Sequence, residues 1–421
     1  MQSRHRELGR RNFLGLGMSA LPAALGLSLL SATKTARAGS GKAKACVWLW
    51  LNGGPSHIDT FDPKPGTSSG GPFKAIRTRI AGVQICEHLP RLAERAKDVA
   101  IVRSMTSREG NHERARYLVH SGYAPTPTVM HPSLGAWTAE ELDRGGLELP
   151  AFVSIGGPSM GAGFLGVQHA PFVLRNVSKA LDNIELPAHV DPARFQRRQE
   201  LLSSLETSFG AATSDGKVEQ RRAVYQNAVA MMKSRHLSAF DISGEPEAVK
   251  TSYGDHDFGR GCLMARRLLE AGVKFVEVSL DGWDTHKDNF ERTKKLMGML
   301  DSGSATLLRE LAERKALDST LVVIAGEFGR TPTINANDGR DHHPKAWSAV
   351  VAGGGIRGGQ AYGQTNADAS EVVSKPVSVA DLFATLATCL GMDPYKSVDT
   401  PVGRPIALTD GGKPIAELLV G

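Results

Sequence analysis

The sequence predicts an α/β fold: a mostly parallel sheet with helices on both faces and a helical insertion over residues 176–256. Three observations lead there. Six short β-branched runs recur along the 421 residues, amphipathic stretches separate several of them, and one polar, strand-poor stretch interrupts the alternation. The runs are apolar at consecutive positions, as strands covered on both faces must be.

The runs in order are "ACVWLWLN" (45–52), "VAIVRSM" (99–105), "AFVSIGG" (151–157), "VKFVEVSL" (273–280), "TLVVIAG" (320–326) and "WSAVVAGG" (347–354). "RGCLMARRLLEAG" and "SATLLRELAERKA" carry apolar residues at helical spacing ahead of the fourth and fifth runs. Inside the strand-poor stretch, "RFQRRQELLSSLETSF" and "EQRRAVYQNAVAMMKSR" read as helices. "SVADLFATLATCLG" opens on Ser378 with Asp381 three residues on and closes on Gly391, the punctuation of a capped helix.

Residues 1–38 read as a twin-arginine export signal. "GRRNFLGLGMSALPAALGLSLL" sets Arg10 and Arg11 before an apolar run, and "ARA" at 36–38 offers a small-residue cleavage site. The expectation is passage through the twin-arginine export machinery to the bacterial periplasm or cell exterior. Gly and Pro interrupt the apolar run, so no stable membrane anchor is expected. Arg4, Arg6, Arg10, Arg11, Lys34 and Arg37 against Glu7 make up five of the six net positive charges, leaving +1 for residues 39–421. The basic balance is an address and gives no ground for a nucleic-acid partner. Cys46, Cys86, Cys262 and Cys389 lie far apart with no zinc-finger or CxxC spacing; Cys46 and Cys389 sit in apolar runs and read as buried thiols, and one disulfide stays open.

Ligands of an open α/β sheet bind beyond the carboxyl ends of its strands. The first run is followed by Asn52, Ser56, His57, Asp59 and Asp62, and the second by Thr106, Ser107, Glu109, Asn111 and His112. The fourth leads into Asp281, Asp284 and His286, the fifth into Glu327 and Arg330, and the next loop holds Asp341, His342 and His343. Taken singly, Asn111, Asp284 or Asp288 could cap a helix, and Glu327 could pair with Arg330. Taken together, carboxylates and imidazoles at so many strand exits point to metal-assisted hydrolysis with one or two divalent ions, zinc or manganese better than calcium. Gly53 and Gly54 would let backbone approach an anion, and Arg108 and Arg330 could clamp it. No G-x-S-x-G elbow occurs, which weakens a charge-relay hydrolase.

"LNGGPSHIDTFDPKP", "RSMTSREGNHERARYLVHSGY", "HPSLGAW", "LDGWDTHKDN", "GEFGRTP" and "GRDHHPKAWSAVVAGGGIRGG", in that order, resemble the bacterial domain of unknown function 1501 family across essentially the whole mature chain. That family resembles sulfatases and the wider alkaline phosphatase superfamily. The likeness implies a mixed sheet flanked by helices, a metal centre at its carboxyl edge, and an anionic ester substrate such as a sulfated glycan. Asp281 with His286, and His342 or His343, resemble an Asp, His, His metal site of that superfamily, with Asp284 as the alternative to Asp281. Asn52 stands where the superfamily usually has a metal-binding Asp, while Glu327 and Phe328 replace an Asp-His or Asp-Asn pair. His57 and Asp59 are the substitutes the first loop offers for those missing ligands.

His112 falls where sulfatases carry their modified cysteine, so formylglycine chemistry is not expected. Thr106 or Ser107 are the hydroxyl nucleophiles left, and a metal-activated water is the other route. Three readings stand: an exported metal-dependent hydrolase of phosphate or sulfate esters, a non-catalytic ligand- or glycan-binding protein that keeps the fold, and a polar edge that is only structural.

Overall fold

The computed structural model describes residues 41–143, 145–179, 181, 184–213 and 216–420; the expected export signal lies outside them. The strands of its main sheet are β1 (Ala45–Asn52), β2 (Val99–Thr106), β3 (Phe152–Ile155), β4 (Phe172–Leu174), β5 (Phe275–Asp281), β6 (Thr320–Ala325), β7 (Trp347–Ala352), β8 (Gln360–Tyr362) and β9 (Val377–Ser378). They lie in the order β8-β2-β7-β6-β1-β5-β3-β4, with β9 beside β2. β6, β1, β5, β3 and β4 run parallel, β7 runs antiparallel to both β6 and β2, and β8 and β9 run parallel to β2. All six expected strand runs are strands, and the sheet is mixed and mostly parallel.

The helices are α1 (Pro90–Glu94), α2 (His112–Ser121), α3 (Leu134–Leu142), α4 (Pro192–Thr213), α5 (Lys217–Lys233), α6 (Glu247–Tyr253), α7 (Asp257–Glu270), α8 (Asn289–Glu313) and α9 (Val379–Cys389). β1 shows why they cover two faces. Val47, Leu49 and Leu51 enter one core with Leu263 and Leu268 of α7 and Leu300 and Leu307 of α8. The alternating Cys46, Trp48 and Trp50 enter another with Trp137 of α3 and Phe383 and Leu386 of α9. Each fully buried large apolar side chain contributes about 1.5–3 kcal/mol, so a strand apolar at every position is anchored from both sides.

Segment 176–256 holds α4, α5 and α6 and no strand among its described residues. The Ser378 hydroxyl accepts from the Asp381 N–H at 3.1 Å and closes the capping box of α9. All four cysteines are free and buried, so the disulfide left open does not form here. Among the described residues no helix is long and apolar enough to cross a membrane.

The direction of β7 matters for function. Because it runs against its neighbours, the loop entering it lies at the same edge as the loops leaving β1, β2, β5 and β6. His342 and His343 therefore arrive where His112, Asp284, His286 and Glu327 do.

Candidate metal centre

Asp284 is the focus. Its Oδ1 lies 3.4 Å from His112 Nε2, 3.2 Å from His286 Nε2 and 3.5 Å from His342 Nε2. Ligand atoms of His112, Asp284 and His342 all fall within 4.8 Å of one another, the one such group among the described residues. Each imidazole is held from behind. His112 Nδ1 donates to Glu327 Oε1 at 2.7 Å, His286 Nδ1 to Asp341 Oδ1 at 2.7 Å, and His342 Nδ1 to the Gly110 carbonyl at 2.7 Å. Carboxylates and carbonyls accept, so each ring carries a proton on Nδ1 and turns its Nε2 inward.

Inward nitrogens this close need a proton or a metal ion among them. His286 Nε2 and His342 Nε2 are 3.0 Å apart, and two lone pairs at that distance repel unless a proton or metal ion lies between them. His112 Nε2 is buried without a hydrogen-bond partner. Two inward nitrogens and a carboxylate, with His286 Nε2 beside them, are a donor set that fits a divalent ion of the zinc or manganese kind.

Arg330 sets the charge of the focus. Fully buried, its guanidinium donates to Asp284 Oδ1 at 2.6 Å and to the carbonyls of Gly54 at 2.8 Å, Arg340 at 3.1 Å and Gly53. Partial burial works against the charged form of Asp284, but Arg330 outweighs it and brings the carboxyl down to about 2. The hydrogen bond to Glu327 pushes the His112 imidazole up, whereas burial pushes His342 down. Arg330 is thus committed to carbonyls and Asp284, a correction to its expected role as an anion clamp.

Several local features place these side chains. Asn111 accepts from the Arg114 N–H at 3.2 Å and starts α2, so its part is a cap and His112 is the first helical residue. Buried Glu327 accepts from the Gly53 N–H at 3.0 Å, tying the exit of β6 to that of β1. Gly53 has φ 116°, and a Cβ there would stand 2.4 Å from the Asp284 nitrogen, so a glycine is what lets the loops touch. Phe328 walls the cluster, its ring 4.9 Å from that of His112 and 4.6 Å from that of His342.

Other expected members are placed elsewhere. His342 and His343 share a two-residue ribbon with Arg330 and Gly329, and successive side chains point oppositely. His342 joins the cluster, while His343 Nε2 donates to the Ser370 carbonyl at 2.8 Å. Buried His57 donates to the Ala369 carbonyl at 3.0 Å. Asp59 is held by Arg340 at 2.8 and 3.0 Å and by Asn289 at 2.9 Å, all buried, so it braces three loops instead of facing an ion. Asp281 accepts from Asn52 at 2.9 Å at the ends of β5 and β1, which leaves Asp284 as the carboxylate of the group. The Thr106 hydroxyl donates to the Val377 carbonyl at 3.3 Å, and that of Ser107 accepts from the Glu109 N–H at 3.0 Å. Asp288 precedes α8 in a left-handed conformation, φ 51°, without a capping side-chain bond.

The family described as protein of unknown function (DUF1501) matches residues 43–419. The chain belongs to that family. No curated protein matches it. Among solved structures, the lipoteichoic acid synthase LtaP from Listeria monocytogenes is similar at 8% identity and a TM-score of 0.38, covering 88% of this chain and 75% of that one. The phosphonate monoester hydrolase of Agrobacterium radiobacter aligns at 13% identity and 0.37, covering 88% and 78%. The PsFucS1 sulfatase from Pseudoalteromonas sp. aligns at 12% and 0.36, covering 83% and 67%. These likenesses are distant and say nothing of chemistry.

The DUF1501 chain also uses residues that strand-exit reasoning passed over. Arg340 captures Asp59 and the Gly110 carbonyl backs His342, while Asp341, expected at this edge, backs His286. Arg116, one helical turn beyond His112, borders an open cavity of about 340 Å³ with Asn52, Gly53, His112 and Asp284. Its four-residue offset from His112 was the available signal.

Proposed function

We propose that this DUF1501 protein is an exported metal-dependent hydrolase of phosphate or sulfate esters, with one ion held by His112, Asp284 and His342 and with His286 at the rim. The observation that carries the reading is the convergence of inward imidazole nitrogens on Asp284 beside a cavity bordered by Arg116. A divalent cation bound there supplies Lewis acidity, polarising an ester oxygen and lowering the pKa of a water.

The side chains of the protein itself do the remaining work. Glu327, Asp341 and the Gly110 carbonyl fix the rings and their tautomers. Arg330 keeps Asp284 charged and in place. Arg116 donates through Nη2 to the Pro158 carbonyl, which anchors its guanidinium at the border of the cavity, where it can meet anionic oxygens. The open cavity suits an ester group carried on a larger molecule, such as a sulfated glycan. Export through the twin-arginine route rests on residues 1–38.

One observation favours the alternative, a binding protein without turnover. Among the described residues no Ser, Thr or Cys side chain hydrogen-bonds to a side chain of the cluster, so a protein nucleophile is not in place. Aryl phosphate and aryl sulfate hydrolysis by zinc- or manganese-loaded protein decides between the two. The hydrolase reading expects turnover that chelation and His342→Ala abolish and that Arg116→Ala lowers about 10–100-fold in kcat/KM. Metal binding with no turnover on either ester class makes it a binding protein.

A further inference from the structure

A second cavity, of about 810 Å³, opens between α1, α6 and α8 and is bordered by Arg91, Arg95 and Arg309 with Thr251, Ser252 and Thr306. Arg309 lies twenty residues along α8 from Asn289, roughly 30 Å at the helical rise. The metal cluster is near the other end of that helix, so the two cavities are separate.

Three guanidinium groups border this cavity. Arg91 donates to the Ser252 carbonyl at 3.1 Å, and Arg309 Nη2 lies 3.5 Å from the Ser252 hydroxyl, so guanidinium groups from two helices converge on one residue. Among the described residues Arg91 forms no ion pair, and the Asp301 carboxylate that accepts its backbone N–H at 3.0 Å attracts its charge from behind. Glu94, the carboxylate bordering the cavity, is turned outward to Arg79. Arg309 reaches exposed Glu313 only at 3.4 Å, and Arg95, paired with Asp98 at 2.5 Å, has its Nε buried without a partner. Guanidinium forks of this kind match the oxygens of a tetrahedral anion.

We propose that this cavity is an oxyanion site that binds a sulfate or phosphate group, free or carried on a larger molecule, apart from the metal centre. The inference does not depend on catalysis. The cavity exceeds what one tetrahedral anion fills, which leaves room for the molecule bearing it.

Isothermal titration of the full chain with sodium sulfate, sodium phosphate, and a sulfated oligosaccharide beside its desulfated form tests the proposal. The expected result is saturable binding of the sulfated form and not the desulfated one. Affinity should fall about tenfold or more in Arg91→Gln/Arg309→Gln, as loss of charge-assisted hydrogen bonds implies, and hold in His342→Ala. Oligosaccharide binding no tighter than inorganic sulfate identifies the ligand as the free anion at the same site. Equal affinity in the double variant, loss in His342→Ala instead, or no binding by the parent would overturn the proposal. Without anion, the double variant and the single Arg95→Gln variant should melt no lower than the parent. A fall of many degrees in both makes the arginines structural and equally overturns it.

Discussion

His57 is buried completely, and burial pushes its imidazole down from 6.5 to about 4. The folded protein keeps the ring neutral where the unfolded chain takes up a proton, so stability rises with pH between those values and is level above them. The shift amounts to about 3 kcal/mol. Chemical denaturation from pH 6.5 down to 4 should therefore cost the parent about that much more than His57→Gln, whose amide can still donate to Ala369. Identical pH slopes would mean that His57 protonates in place. At the cluster, Glu327→Gln removes the carboxylate behind His112. Metal affinity, measured by competition with a chromophoric chelator, should weaken about 10–100-fold. Unchanged affinity would separate His112 from the ion.

At the scale of elements, the loops are fastened by one buried pair, Arg340 with Asp59. Removing one partner of such a pair costs about 3–5 kcal/mol, because the other charge stays buried alone. Asp59→Ala should thus lower the melting temperature far more than Ser378→Ala, where loss of a helix cap costs about 1 kcal/mol. Comparable melting curves for the two variants would contradict the bracing role. The same contrast shows what sequence reading reaches. β1, β2, β5, β6 and β7 were legible because both their faces are covered, and the caps Asn111 and Ser378 act within a few residues. Strand direction leaves no mark on an apolar run, so the antiparallel β7 was not legible. The tie between Asp59 and Arg340 spans 281 positions and depends on packed loops. Choosing His342 over His343 needed the register of a two-residue ribbon, and choosing Asp284 over Asp281 needed the Asn52 contact.

For the molecule as a whole, free and buried cysteines mean that the fold stands on its two cores and its loop ties. A thiol reagent should label none of the four cysteines in native protein and all of them in denaturant, and a reductant should leave the melting curve unchanged. The architecture brings five loops to one edge, including the loop that the reversed β7 returns there, and three of them supply the residues proposed to hold one ion. Elemental analysis of the purified full chain, beside His112→Ala/His342→Ala and His343→Ala, tests it most directly. About one equivalent of zinc or manganese is expected in the parent and in His343→Ala, and none in the double variant. Metal retained by the double variant, or lost with His343 alone, would contradict it.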